Sequence, residues 1–280
     1  MRRLLVGLAV ALVSAVPGLA CGRSADTPPM RFDHPGRSGP PAPLVVYIHG
    51  GGWRGGDKLT DAAYLLMRPR LLALGIAVAS IDYRLAPAHR FPAQIEDVTA
   101  AVRSLRARAE ELRIDPDRIA AAGTSAGGHL ASLLGTIDPS AGFDVGARAG
   151  VSSRVRAVVD IAGPVDLTDP SLPPDNQDAI QDAFGVRGGT AGDPTLGRAS
   201  PVTYVSLDDP PFLLVHGTLD ELVPFSQSVT FADRLTAAGV RAELVPVEGA
   251  GHSLSSPGQR LTPDQIADQI TAFLVTELRR

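Results

Sequence analysis

The sequence predicts an α/β protein with a mostly parallel central sheet covered by helices on both faces. Short apolar runs, Leu44-Val45-Val46-Tyr47-Ile48 among them, have the continuous hydrophobicity of strands buried on both sides. They alternate with stretches of helical spacing, as in Pro92–Leu112, where Ile95, Val98, Val102 and Leu105 fall on one stripe. At 280 residues and 44% hydrophobic, the chain can build one large core, and no internal repeat or second domain is evident.

Taken in order, Met30–Asp33 is the only strand-like fragment before Leu44, and Leu44–Ile48 is the first clear strand. Leu59–Leu74 has helical spacing, with Pro69 expected to kink or interrupt it. Ile76–Tyr83 is the next strand, and the helix Pro92–Leu112 leads to a strand at Arg118–Ala122. Further strands are expected at Val155–Ala162, Phe212–Val215 and Ala242–Val247, with helices at Ala126–Leu134, Phe225–Ala238 and Gln265–Leu278. Strands and helices alternating at this spacing give parallel β-α-β connections. Gly163–Pro210 is less regular, polar and proline-rich, with a small helix at Asp178–Phe184; it stands where a short cap insertion would lie.

The first twenty residues have the order of an export signal. Arg2-Arg3 is followed by an apolar run from Leu4 to Val16, too short to span a bilayer, and then by Pro17-Gly18-Leu19-Ala20-Cys21. Gly18 and Ala20 suit cleavage after Ala20, making 1–20 a signal peptide and the mature protein secreted. Cys21, the only cysteine, also fits a lipoprotein anchor, although Gly18 stands where such signals carry leucine. That anchor is the only membrane attachment expected, and one cysteine excludes an intrachain disulfide. Residues 21–43, rich in Pro, Gly and Ser, are expected to tether a catalytic domain at 44–280. A net charge of −4 gives no electrostatic case for nucleic acid.

The chemistry gathers at strand ends. Gly123-Thr124-Ser125-Ala126-Gly127, between a strand and a helix, matches the Gly-x-Ser-x-Gly nucleophile elbow. The turn is tight enough that only residues without a Cβ fit at Gly123 and Gly127. It lifts the Ser125 hydroxyl to the start of a helix, where free N–H groups favour developing negative charge. His49-Gly50-Gly51-Gly52-Trp53 follows the strand ending at Ile48, and consecutive glycines let backbone N–H groups approach a ligand oxygen. After Phe212–Val215 comes His216-Gly217-Thr218-Leu219-Asp220; after Val247 comes Glu248-Gly249-Ala250-Gly251-His252. In a parallel sheet these loops share one edge. Ser125, Asp220 and His252 stand in the chain order that accompanies the elbow, a nucleophile, an orienting acid and a base. Asp166 is a competing acid. His49 is expected to prop the glycine loop, His129 and His216 to satisfy backbone groups, and His34 and His89 to lie on the surface. Trp53 is either core packing or a substrate-binding wall, and Tyr83 and Arg84 are expected to pin the loop beneath the site. No histidine pair has the spacing and carboxylate company of a metal site.

Several stretches together resemble α/β-hydrolases, specifically exported esterases grouped with bifunctional feruloyl/acetyl xylan esterases and hormone-sensitive-lipase-like carboxylesterases. They are His49–Lys58, Asp82–Val98, Gly123–Leu130, Ser200–Ser206, His216–Pro224 and Gly249–His252, within a region from about Leu44 to Arg280. The resemblance implies the α/β-hydrolase fold, a Ser125–His252–Asp220 triad, and Gly51, Gly52 and Ala126 as backbone donors of an oxyanion hole, with no cofactor and no metal. Two departures stand out. Ala88 occupies a position where relatives commonly carry Glu, and the N-terminal strands look truncated, which would shorten one sheet edge.

The expected activity is hydrolysis of short-chain acyl esters, acetyl or feruloyl, on a small-molecule or carbohydrate-linked substrate. A kynurenine formamidase-like amide hydrolase is the alternative, sharing the His-Gly-Gly-x-Trp pattern. A non-catalytic binding protein on the same scaffold is disfavoured by the complete triad.

Overall fold

The computed structural model describes residues 27–36, 39–173, 177–186 and 192–280; the expected export signal and Cys21 lie outside them. Seven strands form one sheet in the order β1-β3-β2-β4-β5-β6-β7. They are β1 (Met30–Asp33), β2 (Ala42–Ile48), β3 (Ala77–Ile81), β4 (Ile114–Thr124), β5 (Val158–Ile161), β6 (Phe212–Gly217) and β7 (Ala242–Val247). β1 pairs antiparallel with β3, and every other pairing is parallel. The Met30–Asp33 fragment therefore closes one edge of the sheet.

Among the described residues, eight α-helices accompany the strands: α1 (Ala62–Ala73), α2 (Ala93–Ala107), α3 (Ala109–Leu112), α4 (Ala126–Thr136), α5 (Gln177–Phe184), α6 (Pro194–Ala199), α7 (Ser226–Ala237) and α8 (Pro263–Arg279). Side chains alternate along β2 between two cores. Leu44, Val46 and Ile48 pack with Ile95 of α2, Leu130 of α4 and Phe231 of α7. Val45 and Tyr47 face the other way, onto Tyr64, Met67 and Leu71 of α1 and Ile270 and Leu274 of α8. Both faces of the central strands are dry, which is why they read as unbroken apolar runs.

Some boundaries differ from the sequence expectation. Pro69 sits inside α1 without ending it. The helix expected over Pro92–Leu112 is divided at Arg108, and Arg113 takes a left-handed φ of 55° to turn the chain into β4. β4 begins four residues before Arg118, at Ile114, because Ala42 of β2 extends the pairing to it. Gly163–Pro210 is less polar in its packing than its composition suggests. Val165, Leu167, Leu172, Ile180, Phe184 and Leu196 are buried in the same core as α2 and α4.

The site's location follows from the strand order. β2 and β4 are neighbours, yet the helix after β2 covers one face and the helix after β4 the other. The loops leaving their C-terminal ends diverge and leave a crevice between them, the usual place for a ligand in an open parallel sheet.

Candidate active site

Ser125 is the residue between β4 and α4, with φ 55° and ψ −120°. A non-glycine residue there is strained, and the surrounding packing maintains it. A Cβ on Gly123 would lie 2.2 Å from the Gly127 carbonyl oxygen, and one on Gly127 would lie 2.1 Å from that of Ile48. The Ser125 N–H donates to Ile161 O at 2.7 Å, fixing the turn to β5. Beneath it, Asp160 of β5 is buried, and burial raises its carboxyl above the ordinary range. It accepts from the Ser132 hydroxyl at 2.6 Å and the Gly163 N–H at 2.8 Å.

Ser125, His252 and Asp220 come together. Ser125 Oγ lies 2.9 Å from His252 Nε2, and His252 Nδ1 lies 2.7 Å from Asp220 Oδ2. A carboxylate only accepts, so Nδ1 carries the imidazole proton and Nε2 keeps its lone pair toward the hydroxyl. Asp220 is wholly covered at its side chain while His252 is 17% exposed. Asp220 Oδ1 also accepts the N–H groups of Leu222 and Val223, at 2.9 and 2.8 Å. Burial acts to raise the Asp220 carboxyl, but hydrogen bonds from His216 and His252 outweigh it and hold the group well below the usual carboxylate range. Asp166 is not part of this set; its Oδ1 accepts the N–H and hydroxyl of Thr168 in a local turn.

The glycine loop after β2 adjoins the elbow. Gly51, Gly52 and Trp53 have consecutive positive φ values of 114°, 59° and 58°. Gly52 and Ala126, two of the three expected donors, line a cavity of about 30 Å³ that also reaches Ser125. Gly51 stands one residue back, in a turn in which its carbonyl accepts from Arg54 and Gly55. The remaining walls are apolar: Trp53, Pro164, Leu167, Leu172, Ala179, Ile180 and Val223. Trp53 is buried, at 5% exposed, and also lines the cavity. Its Nε1–H donates to His129 Nδ1 at 3.2 Å, and His129 Nε2–H donates to Ala199 O at 2.8 Å. Burial lowers the His129 pKa to about 4, against the opposing Ala199 contact, so this imidazole is neutral at pH 7. His49 props the loop as expected: its Nδ1 meets Gly50 O at 2.7 Å, and its ring stacks on Tyr83, whose hydroxyl donates to His49 O.

Three groups near the site escaped the sequence reading. His216 was expected to satisfy only backbone, and Val223 O does accept from its Nε2 at 2.9 Å. The same nitrogen is also 3.0 Å from Asp220 Oδ2, while Nδ1 takes the Ser228 hydroxyl at 2.7 Å. Asp61 and Tyr47 form a hydrogen-bonded pair reaching toward the glycine loop. A histidine opening the same loop as Asp220 was the one available signal.

A family model described as BD-FAE matches residues 32–235. The chain belongs to the BD-FAE family. Esterase LipC of Mycobacterium tuberculosis is 36% identical over 239 residues, 84% of this chain and 58% of LipC. This BD-FAE chain therefore spans a little over half of that relative's length. Among solved structures, a truncated carbohydrate esterase from gut microbiota superposes with a TM-score of 0.75 at 27% identity, covering 90% of this chain and 91% of that one. Thermogutta terrifontis esterase Est2 with butyrate bound gives 0.70 at 27% identity, covering 89% and 87%. The seven-stranded sheet, parallel except for β1, is the α/β-hydrolase fold of these esterases.

Proposed function

We propose that this protein is a serine carboxylic-ester hydrolase acting on short acyl esters, with acetyl the preferred acyl group. The observation that carries the reading is the hydrogen-bonded line Asp220–His252–Ser125 opening onto a small apolar cavity. Ser125 Oγ attacks the ester carbonyl while its proton passes to His252 Nε2. The carbonyl oxygen, now negative, is held by the N–H groups of Gly51, Gly52 and Ala126. The intermediate collapses, the alcohol leaves with the proton from His252, and the acyl group stays on Ser125. Water then attacks the acyl-enzyme and gives a proton to His252, which passes it to Ser125 Oγ as the acid leaves.

Support for a short acyl group comes from the cavity's size and walls. A cavity of about 30 Å³ admits a methyl or slightly more, and the apolar lining favours carbon. A ferulate ring exceeds it. The butyrate held by the Thermogutta terrifontis esterase is in keeping with short acids on this fold. The alcohol side, small or carbohydrate-linked, is open to solvent at His252.

Turnover of a panel tests the reading: p-nitrophenyl acetate, butyrate and dodecanoate, acetylated xylan, methyl ferulate and an N-formyl amide. The acetate should lead, and Ser125→Ala should lower kcat by roughly 10³–10⁶. A preference for the formyl amide, or for dodecanoate, would overturn the substrate. We further propose export, supported by Arg2-Arg3 and the apolar run to Val16. Mature protein recovered from its host should begin at or near Cys21, and an intact Met1 in the cytosol would refute it.

A further inference from the structure

We propose that Asp61 is a positioning residue that holds the oxyanion loop at its working distance from Ser125, acting through Gly50 and Tyr47. The inference rests on the esterase reading, in which Gly51 and Gly52 donate to the carbonyl oxygen. Asp61 precedes α1, and its carboxylate does two separate jobs. As the helix cap it accepts from Ala63 N at 3.0 Å and Tyr64 N at 3.4 Å through Oδ1. Beyond the helix, Oδ2 accepts the Gly50 N–H at 3.2 Å, and Oδ1 accepts the Tyr47 hydroxyl at 2.6 Å.

The direction of the protons extends the link to the nucleophile. A carboxylate has none to give, so the single proton of the Tyr47 hydroxyl goes to Asp61. Thr124 Oγ1, 2.7 Å from the Tyr47 oxygen, must then be the donor of that contact. Thr124 is the residue before Ser125. Gly50 meets the same place from the other side, since a Cβ on it would lie 2.9 Å from Thr124 O and 3.5 Å from Ser125 Cβ. One side chain therefore ties the loop after β2 and the elbow after β4 to a common point. Gly51 and Gly52 lack side chains, and at φ 114° and 59° nothing in their own covalent structure favours the donor geometry over other turns. Gly50 is the first fixed point upstream of them, held at its N–H by Asp61 and at its carbonyl by His49.

Asp61→Asn separates the two jobs. Asparagine caps a helix about as well as aspartate, so α1 keeps its cap. With its oxygen kept on the cap and on Tyr47, its amide nitrogen turns a donor toward the Gly50 N–H. The full chain is assayed on p-nitrophenyl acetate, with a trifluoromethyl ketone as the probe whose adduct places an oxyanion in the hole. The expected result is a kcat lower by about 10–10², from displaced donors, with KM little changed. The ketone's affinity should fall by the same factor as kcat/KM, and the melting temperature should stay close to wild type. Tyr47→Phe, which removes one oxygen, should lower kcat less. The double variant should be no worse than Asp61→Asn alone, as expected of one connected path. Tyr47→Phe also serves if Asp61→Asn does not fold. A variant with full kcat and only a lowered melting temperature makes Asp61 a helix cap and overturns the proposal, as does a raised KM at full kcat. A wild type inactive on every ester overturns the esterase reading, and this proposal with it.

Discussion

Asp220 takes hydrogen bonds from two imidazoles, and only one of them, His252, faces Ser125. His216 Nε2 points at two acceptors, Asp220 Oδ2 and Val223 O, so it carries a ring proton and donates. His216→Phe leaves a buried carboxylate one hydrogen bond short, a loss of about 1–3 kcal/mol. A pH effect accompanies it. Asp220 is held below its unfolded value, so its contribution to stability is present above that value and lost as pH falls through the folded one. Removing His216 raises the folded value, and acid unfolding should begin at higher pH than in wild type. Melting curves taken from pH 7 downward check this; coincident curves would show the second imidazole to be dispensable. Asp220→Asn should lower kcat on the order of 10⁴ by spoiling the tautomer of His252. Asp166→Asn, whose carboxylate serves only a turn with Thr168 among the contacts described, should leave kcat near wild type.

Among the elements, α5 contributes Ala179 and Ile180 to the cavity beside Ser125. Leu172 lines it too, as do Gly52 and Ala126. Ile180→Ala should open room for further methylenes, each worth about 0.8 kcal/mol or fourfold when buried. The ratio of kcat/KM for butyrate over acetate should rise accordingly, and an unchanged ratio would place the acyl group elsewhere. The sequence misjudged this insertion, because Leu167, Leu172 and Ile180 are scattered among Pro and Asp and follow neither period. The strands were legible for the opposite reason: Leu44–Ile48 of β2, Ile119–Ala122 of β4 and Phe212–Val215 of β6 are buried on both faces and read as unbroken apolar runs. The three residues of the candidate triad were legible because each follows such a strand on one shared edge. What could not be read was the lateral wiring. Tyr47 reaches Asp61 across 14 residues and Thr124 across 77, and no local pattern marks contacts of that span.

On the scale of the whole molecule, one buried histidine joins three parts of the chain that meet only in the folded state. His129 lies in α4, takes the Trp53 indole N–H from the glycine loop after β2, and donates to Ala199 at the end of α6. Nδ1 must keep its lone pair to accept from Trp53, so the neutral ring is the one that fits. Burial enforces it, lowering the pKa from 6.5 to about 4 against the raising effect of the Ala199 contact. The unfolded chain therefore binds a proton here that the folded chain refuses. Stability from this site is complete above pH 6.5 and is withdrawn as pH falls from there toward 4. The full difference corresponds to roughly 3 kcal/mol, a large share of the stability of a single domain. Aspartates and glutamates begin to titrate in the lower part of that window, so the wild-type curve alone does not isolate His129. His129→Gln does, since glutamine offers an oxygen to Trp53 and an N–H to Ala199 but takes up no proton. Denaturant unfolding of both proteins at intervals between pH 7 and 4 should show the wild type losing stability faster. The gap between the two should change by a few kcal/mol and then level off near pH 4. Two curves that stay parallel across the window would mean that His129 is protonated in the fold, with the Trp53 contact broken.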